Sequence, residues 1–262
     1  MEATSTEPVI DLLHVDVPRV DMAVPTRIIE DVCWTIKRGE FWAVGAMPGG
    51  GKTDLLSMVA GLQRPLNGTE LIFGKDITQM REDELIEIRL KIGMVFGAGR
   101  LFANLTVAEN LALPLAYHFN WSIAERNERV AKALEITELE QFANKRPSQI
   151  LKSLHQRVGL ARALALNPEI VLLDNPLLMS DPRQSRWWVD FLCELSAGHE
   201  ALGRKPLTVV VVIGDFRPWH DTARQFAYVK DKKFHAIGGR EELSKSSDPT
   251  VRELLRPAFD DE

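Results

Sequence analysis

Phe41-Trp42-Ala43-Val44-Gly45-Ala46-Met47-Pro48-Gly49-Gly50-Gly51-Lys52-Thr53 decides how this chain is read. An apolar run of strand length leads into a glycine-rich turn, then Lys-Thr, then a helical pattern that puts Leu55, Leu56, Val59 and Leu62 on one face. Strand, glycine turn and helix in that order are the setting in which such a motif forms a phosphate loop. Gly49, Gly50 and Gly51 let backbone N–H groups curl round a phosphate, and the helix N-terminus adds its dipole. Lys52 would then reach the β- and γ-phosphates and Thr53 would ligate Mg²⁺. The competing reading is a glycine-rich turn with a solvated lysine; the flanking strand and helix favour the phosphate loop. Two departures weaken it. Ala46 stands where the first glycine is usual, and Asp54 follows Thr53. A carboxylate there suits an unliganded helix N-terminus but repels phosphates at close range, so Asp54 reads at least as well as a helix-start acid.

Outward from the loop, short apolar runs alternate with amphipathic segments, the pattern of a sheet covered by helices. Strands are expected at 9–13, 28–36, 41–45, 71–73, 92–96, 170–174, 209–214, 226–230 and 233–237. The runs 170–173 and 209–213 are apolar without alternation, as in central parallel strands buried on both faces. Asn67-Gly68 and Asp231-Lys232 read as turns that add an antiparallel element. From about 106 to 165 the pattern is helical, a subdomain inserted into the α/β core. Asp248-Pro249 opens a short capped helix.

Composition narrows the function classes. The 262 residues are 45% hydrophobic and 26% charged, an ordinary globular balance, and 32 basic against 37 acidic residues give a net charge of −5. That charge speaks against a nucleic-acid partner. The two cysteines, Cys33 and Cys193, sit in apolar sequence without metal-ligand spacing, so neither a disulfide framework nor a zinc site is expected. No apolar run reaches the length of a bilayer span, and the first residues lack a signal-peptide pattern. A cytoplasmic chain, or one peripheral to a membrane, is the expectation.

Several stretches together resemble an ATP-binding cassette (ABC) transporter ATPase. They are Asp31-Val32-Cys33-Trp34-Thr35-Ile36-Lys37-Arg38-Gly39-Glu40 before the loop, Leu101-Phe102-Ala103-Asn104-Leu105-Thr106-Val107-Ala108-Glu109-Asn110 in the middle, and Gln156-Arg157-Val158-Gly159-Leu160-Ala161-Arg162-Ala163-Leu164 leading to Ile170-Val171-Leu172-Leu173-Asp174-Asn175-Pro176. The likeness runs from Val9 to Pro257. Residues 109–115 and 248–255 look most like the Mla/Mce-type ATPases of bacterial lipid transport. The resemblance implies an α/β fold of the P-loop NTPase type: a mainly parallel sheet core, an antiparallel β subdomain and an inserted helical subdomain. It implies one nucleotide-binding domain over 1–262, with a RecA-like core at about 8–97 and 166–240, a helical subdomain at about 98–165 and a tail helix at about 248–256. ATP and Mg²⁺ are the implied cofactors, held by Gly49, Gly50, Gly51, Lys52, Thr53 and Asp174, with Asp181 as the D-loop aspartate.

Position by position, the catalytic parts are altered. Asn175 follows Asp174 where the family has the glutamate that polarises water. A neutral amide accepts no proton, so base assistance worth about 10² to 10⁴ in rate is missing. Gly97 stands where a γ-phosphate-sensing glutamine is expected, and Gly214, followed by Asp215, where a switch histidine is expected; His220, six positions on, reads as a loop residue. The signature Leu-Ser-Gly-Gly-Gln becomes Ile150-Leu151-Lys152-Ser153-Leu154, although Lys152 and Ser153 could supply phosphate contacts instead. No aromatic residue lies between Asp16 and Met22 to stack on adenine; Arg19 could do so.

The resemblance implies a head-to-tail dimer in which each composite site combines one chain's phosphate loop with the other chain's signature helix; with base and signature lost on the same chain, a dimer with itself or with an intact cassette is expected to have two impaired sites. The expected function is a non-hydrolysing subunit of a lipid-transport-like system, a scaffold or regulator with weak or absent nucleotide binding. The alternative is a working transport ATPase. Expected partners are a transmembrane permease subunit or another ABC nucleotide-binding subunit, on the inner face of the cell membrane. Docking is expected at 97–106, with Leu101, Phe102 and Leu105 as apolar contacts or as packing of the helical subdomain. Trp187-Trp188 is read as half-buried packing rather than a partner patch, and Asp260-Asp261-Glu262 as a solvated end.

Overall fold

The computed structural model describes residues 7–19, 26–178 and 180–256. The chain opens with β1 (Pro8–Pro18), β2 (Arg27–Lys37) and β3 (Phe41–Ala46), then α1 (Lys52–Val59), β4 (Asn67–Ile72), β5 (Lys75–Asp76), α2 (Glu82–Arg89) and β6 (Ile92–Val95). Three helices follow, α3 (Val107–His118), α4 (Ile123–Ile136) and α5 (Lys152–Ala165). The remainder is β7 (Ile170–Asp174), α6 (Pro182–Ala197), β8 (Thr208–Ile213), β9 (Gln225–Lys230), β10 (Lys233–Gly238), α7 (Arg240–Lys245) and α8 (Pro249–Leu254).

Two sheets result. One is antiparallel with order β2-β1-β4-β5; the other has order β10-β9-β3-β8-β7-β6. In the second, β9, β3, β8, β7 and β6 run parallel, and β10 closes the edge antiparallel to β9. The unalternating runs lie inside it as expected: β8 is buried along its whole length, and β7 lies between β8 and β6. Parallel direction brings the C-terminal ends of β3, β8, β7 and β6 to one edge, where ligands of open α/β sheets bind.

Helix α1 presents Leu55, Leu56, Met58 and Val59 to a core shared by both sheets. Each such side chain, fully buried, is worth about 1.5–3 kcal/mol. A second core on the other face of the parallel sheet takes Trp188, Phe191 and Leu192 from α6 and Val251 and Leu254 from α8. A third joins α3, α4 and α5. Helix α5 serves two of these: Leu160 and Leu164 enter the second core, while Val158 and Ala161 enter the third. The helical cluster is thereby fixed to the sheet. Trp188 is buried, and Trp187 stacks on Phe191 and under the Arg157 guanidinium at 3.6 Å, so the tryptophans pack against the fold.

Several local expectations need correcting. Asn67-Gly68 is not a turn but the start of β4; the turn lies at Phe73-Gly74, both at positive φ. Gly68 has φ 84°, and a Cβ there would lie 2.2 Å from the His14 carbonyl oxygen, so glycine lets β4 pass a bulge in β1. Asp231-Lys232, with φ of 48° and 60°, does form the expected hairpin turn between β9 and β10. Leu62 lies beyond the end of α1 and is exposed, because Gly61 at φ 66° turns the chain away. Asp248 caps α8 through the Thr250 N–H and accepts a 2.8 Å hydrogen bond from the Tyr228 hydroxyl. The acidic end at 260–262 and residues 20–25, including Met22, lie outside the described residues.

Candidate functional site

The loop after β3 wraps tightly. Gly49 and Gly51 adopt φ of 77° and 84°, and the Gly50 N–H donates to the Met47 carbonyl at 3.0 Å. A Cβ on Gly51 would fall 2.7 Å from Ile28 Cγ1, and one on Gly50 3.1 Å from the Met47 carbonyl oxygen. Helix α1 starts at Gly51 with no side chain capping it, which leaves its first N–H groups aimed at whatever anion sits in the loop. Lys52 Nζ donates to the Ala46 carbonyl at 2.5 Å. Burial pushes the Lys52 pKa down, and the charge of Asp174 opposes that shift. Asp54 sits half-buried in the first turn of α1, as a helix-start acid does.

Thr53 and Asp174 meet. Thr53 Oγ1 donates to Asp174 Oδ2 at 2.7 Å, joining the start of α1 to the end of β7. Gln156 Nε2 on α5 donates to the Asp174 backbone carbonyl at 2.7 Å and so ties the helical cluster to the same strand end. Sequence reasoning quoted Gln156 only as a landmark and gave it no role. Glycine backbone, ammonium, hydroxyl and carboxylate are a donor set that fits a polyphosphate with Mg²⁺.

The neighbouring strand ends offer less. Asn175 has φ 48°, a left-handed conformation asparagine tolerates, and its N–H donates to the Val212 carbonyl at 2.8 Å. Gly214 directly follows β8, and Gly97 lies just past β6. A Cβ on either would meet nothing within 4 Å. His220 is on a different surface, hydrogen-bonded to Asp221 Oδ1 at 3.0 Å and Ser244 Oγ at 3.3 Å.

Leu151 is the N-cap of α5, 67% exposed and without a side-chain bond to the helix. Lys152 is exposed, and Ser153 Oγ accepts from Gln184 Nε2 at 3.0 Å. Lys152, Ser153, Gly97 and Gln156 line one cavity of about 470 Å³ together with Leu178 and Ser180. Asp181 caps α6, accepting from the Gln184 N–H at 2.8 Å. Arg19, in the middle of the expected adenine segment, donates its backbone N–H to the Thr26 carbonyl at 2.9 Å.

The expected docking segment divides. Leu101 packs against the helical core and Leu105 is half-buried. Phe102 is exposed and joins Phe96, Arg100, Leu113, Tyr117 and Arg162 around an apolar groove of about 520 Å³ between β6 and the helices. The cysteines are corrected too: both are exposed, and Cys33 Sγ lies 3.6 Å from His14 Nδ1. No helix of the described residues is long and apolar enough to cross a membrane.

Comparison with known proteins agrees with this geometry. Residues 29–178 match the ABC transporter family. The methionine import ATP-binding protein MetN of Bifidobacterium longum (strain NCC 2705) is 39% identical over 186 residues, 71% of this chain, which spans only 45% of that protein's length. The intermembrane phospholipid transport system ATP-binding protein MlaF of Escherichia coli (strain K12) is 32% identical over 228 residues, covering 87% of this chain and 82% of that one. Among solved structures, a dimeric post-hydrolysis state of the ATP-binding cassette MJ0796 bound to ADP and Pi superposes with a TM-score of 0.77 at 32% identity, over 88% of this chain and 99% of that one. With most of both chains aligned and the phosphate loop, Thr53 and Asp174 assembled at one sheet edge, this chain belongs to the ABC transporter family of ATP-binding cassettes.

Proposed function

We propose that the chain is a single nucleotide-binding domain that serves a lipid-transport-like membrane system as a non-hydrolysing scaffold or regulator. Mg-nucleotide is held through Gly49, Gly50, Gly51, Lys52, Thr53 and Asp174. The family binds ATP with Mg²⁺, and bound Mg²⁺ would neutralise phosphate charge beside the Thr53 hydroxyl and the Asp174 carboxylate. Lys52 supplies a second positive charge, and the glycine backbone orients the phosphates. The lipid-like cargo rests on the MlaF likeness, which spans most of both chains, whereas the MetN match covers less than half of that protein.

One observation carries the non-hydrolysing reading. The ends of β6, β7 and β8 present Gly97, Asn175 and Gly214 around the Thr53–Asp174 pair, and none of the three has a side chain that can take a proton from water. The apolar groove beside Phe102 and Tyr117 is the proposed seat of a transmembrane permease subunit on the inner face of the membrane, and a second cassette is the other expected partner. The net charge of −5 supports no nucleic-acid role.

Calorimetric titration with Mg-ATP, followed by a turnover assay, tests the reading. Binding lost in Lys52→Ala, with turnover at least about 10²-fold below an ordinary transporter rate of order 1 per second, is expected. Turnover at that ordinary rate, abolished by Asp174→Ala, would establish the working ATPase instead. No binding at millimolar ATP would remove nucleotide from the proposal.

A further inference from the structure

His14, Asp31 and Cys33 lie on the exposed side of the β1–β2 ladder, and no part of the nucleotide reading uses them. Their ligand atoms, His14 Nδ1, an Asp31 carboxylate oxygen and Cys33 Sγ, fall within 4.8 Å of one another. Two opposed bulges bring them together. Between the pairs Leu12–Trp34 and Val15–Val32, β1 places Leu13 and His14 opposite the single residue Cys33. Between Val15–Val32 and Val17–Ile29, β2 places Glu30 and Asp31 opposite the single residue Asp16. His14 and Asp31 adopt φ of 53° and 55°. A bulge re-aims the side chain it carries, and here two of them converge on Cys33. Asp16 holds the second in place, its Oδ1 accepting the Asp31 N–H at 3.0 Å.

We infer that His14, Asp31 and Cys33 form a binding site for a divalent cation of borderline softness, Zn²⁺ above all. Imidazole, carboxylate and thiolate are the three ligand types zinc takes, at about 2.0–2.3 Å. Around a tetrahedral ion such bonds set imidazole N and thiolate S roughly 3.5 Å apart; His14 Nδ1 and Cys33 Sγ are 3.6 Å apart. His14 Nδ1 and Asp31 Oδ1 stand at 2.7 Å, a hydrogen bond. The ion replaces that shared proton, which leaves to solvent, and pushes the pair apart by about 0.6 Å, toward the spacing the tetrahedron requires. Both side chains have room to do so, being 77% and 60% exposed. The Cys33 thiol gives its proton to solvent as the sulfur binds, and water completes the fourth position. The ion would clamp β1 to β2 where the ladder is broken twice.

Cobalt titration of the chelator-treated, untagged full chain tests the site through the thiolate-to-cobalt charge-transfer absorption, with Zn²⁺ as the displacing ion. The expected result is a saturable band at one equivalent, abolished by Zn²⁺, absent in Cys33→Ser and His14→Ala, and retained in Cys193→Ser. Asp31→Asn should weaken cobalt at least about tenfold, since even an outer-shell partner is worth that much. All four substitutions are at exposed positions, and circular dichroism of each variant checks that the fold is retained. No band in the folded wild type, or a band that survives Cys33→Ser, would overturn the site and leave His14 and Asp31 as a surface ion pair.

Discussion

Thr53 Oγ1 and Asp174 Oδ2 are 2.7 Å apart across 121 residues of sequence, and this bond fixes the start of α1 to the end of β7. Asp174 also acts on Lys52, opposing the downward shift that burial imposes on its pKa. The carboxylate thus organises a hydroxyl and an ammonium at once. In the proposed site a magnesium ion between Thr53 and Asp174 would need that negative oxygen, whereas the loop glycines and Lys52 would contact phosphate without it.

Asp174→Ala should therefore separate two parts of nucleotide affinity. We expect the variant to lose the Mg²⁺-dependent increment, at least about tenfold in Kd, while binding of metal-free ATP stays within a few-fold of wild type. Lys52→Ala should lose both. Paired calorimetric titrations with Mg²⁺ and with chelator read the difference. Equal losses for Asp174→Ala in the two conditions would show that the carboxylate acts on the loop and not on the metal.

How much of this was legible beforehand depends on whether the signal is contiguous. The phosphate loop was readable because strand, glycines, Lys52 and Thr53 follow one another, and β7 and β8 because buried parallel strands lose alternation. Asn67-Gly68 misled because the same dipeptide serves any place needing positive φ; here Gly68 meets the bulge at His14 rather than reversing the chain. The convergence of His14, Asp31 and Cys33 was invisible because it depends on register, and two bulges shift the register of β1 against β2. The same holds for Glu70. It precedes the strand expected at 71–73 and a lone carboxylate there carries no burial signal, yet it is wholly buried.

Among the described residues, both carboxyl oxygens of Glu70 are buried without a hydrogen-bond partner. Burial first, and the nearby charge of Asp76 second, raise its pKa well above the ordinary carboxyl value. The folded state then keeps a proton that the unfolded chain releases near pH 4.5. Between that pH and the raised folded pKa the native state binds more protons, so this group makes stability fall as pH rises. Glu70→Met removes both the proton linkage and the unpaired oxygens. It should raise stability at neutral pH by about 1–3 kcal/mol and flatten the fall above about pH 4.5. Denaturant unfolding across that range checks both, and an unchanged pH slope in the variant would assign the slope to other groups.

The strand-end glycines allow a constructive experiment. A Cβ at Gly97 or Gly214 meets nothing within 4 Å among the described residues, and neither has positive φ, so Gly97→Gln and Gly214→His should fold. Asn175→Glu is costlier, about 1–2 kcal/mol, because φ is 48° there. These three changes restore a proton acceptor and its companions, but each composite site in a self-dimer would still receive Leu151, Lys152 and Ser153 from the partner. We therefore expect the triple variant to leave turnover at its starting level. Adding Leu151→Ser, Lys152→Gly and Ser153→Gly should then raise it by about 10² or more, the size of a general-base effect. The losses are coupled, so the two sets of changes should be strongly non-additive. Steady-state phosphate release from the starting chain, each triple variant alone and the variant with all six changes measures that coupling directly. Full activity in the first triple variant would mean that the α5 N-terminus had never been a barrier, and that its exposed Leu151 and Lys152 are compatible with a closed site.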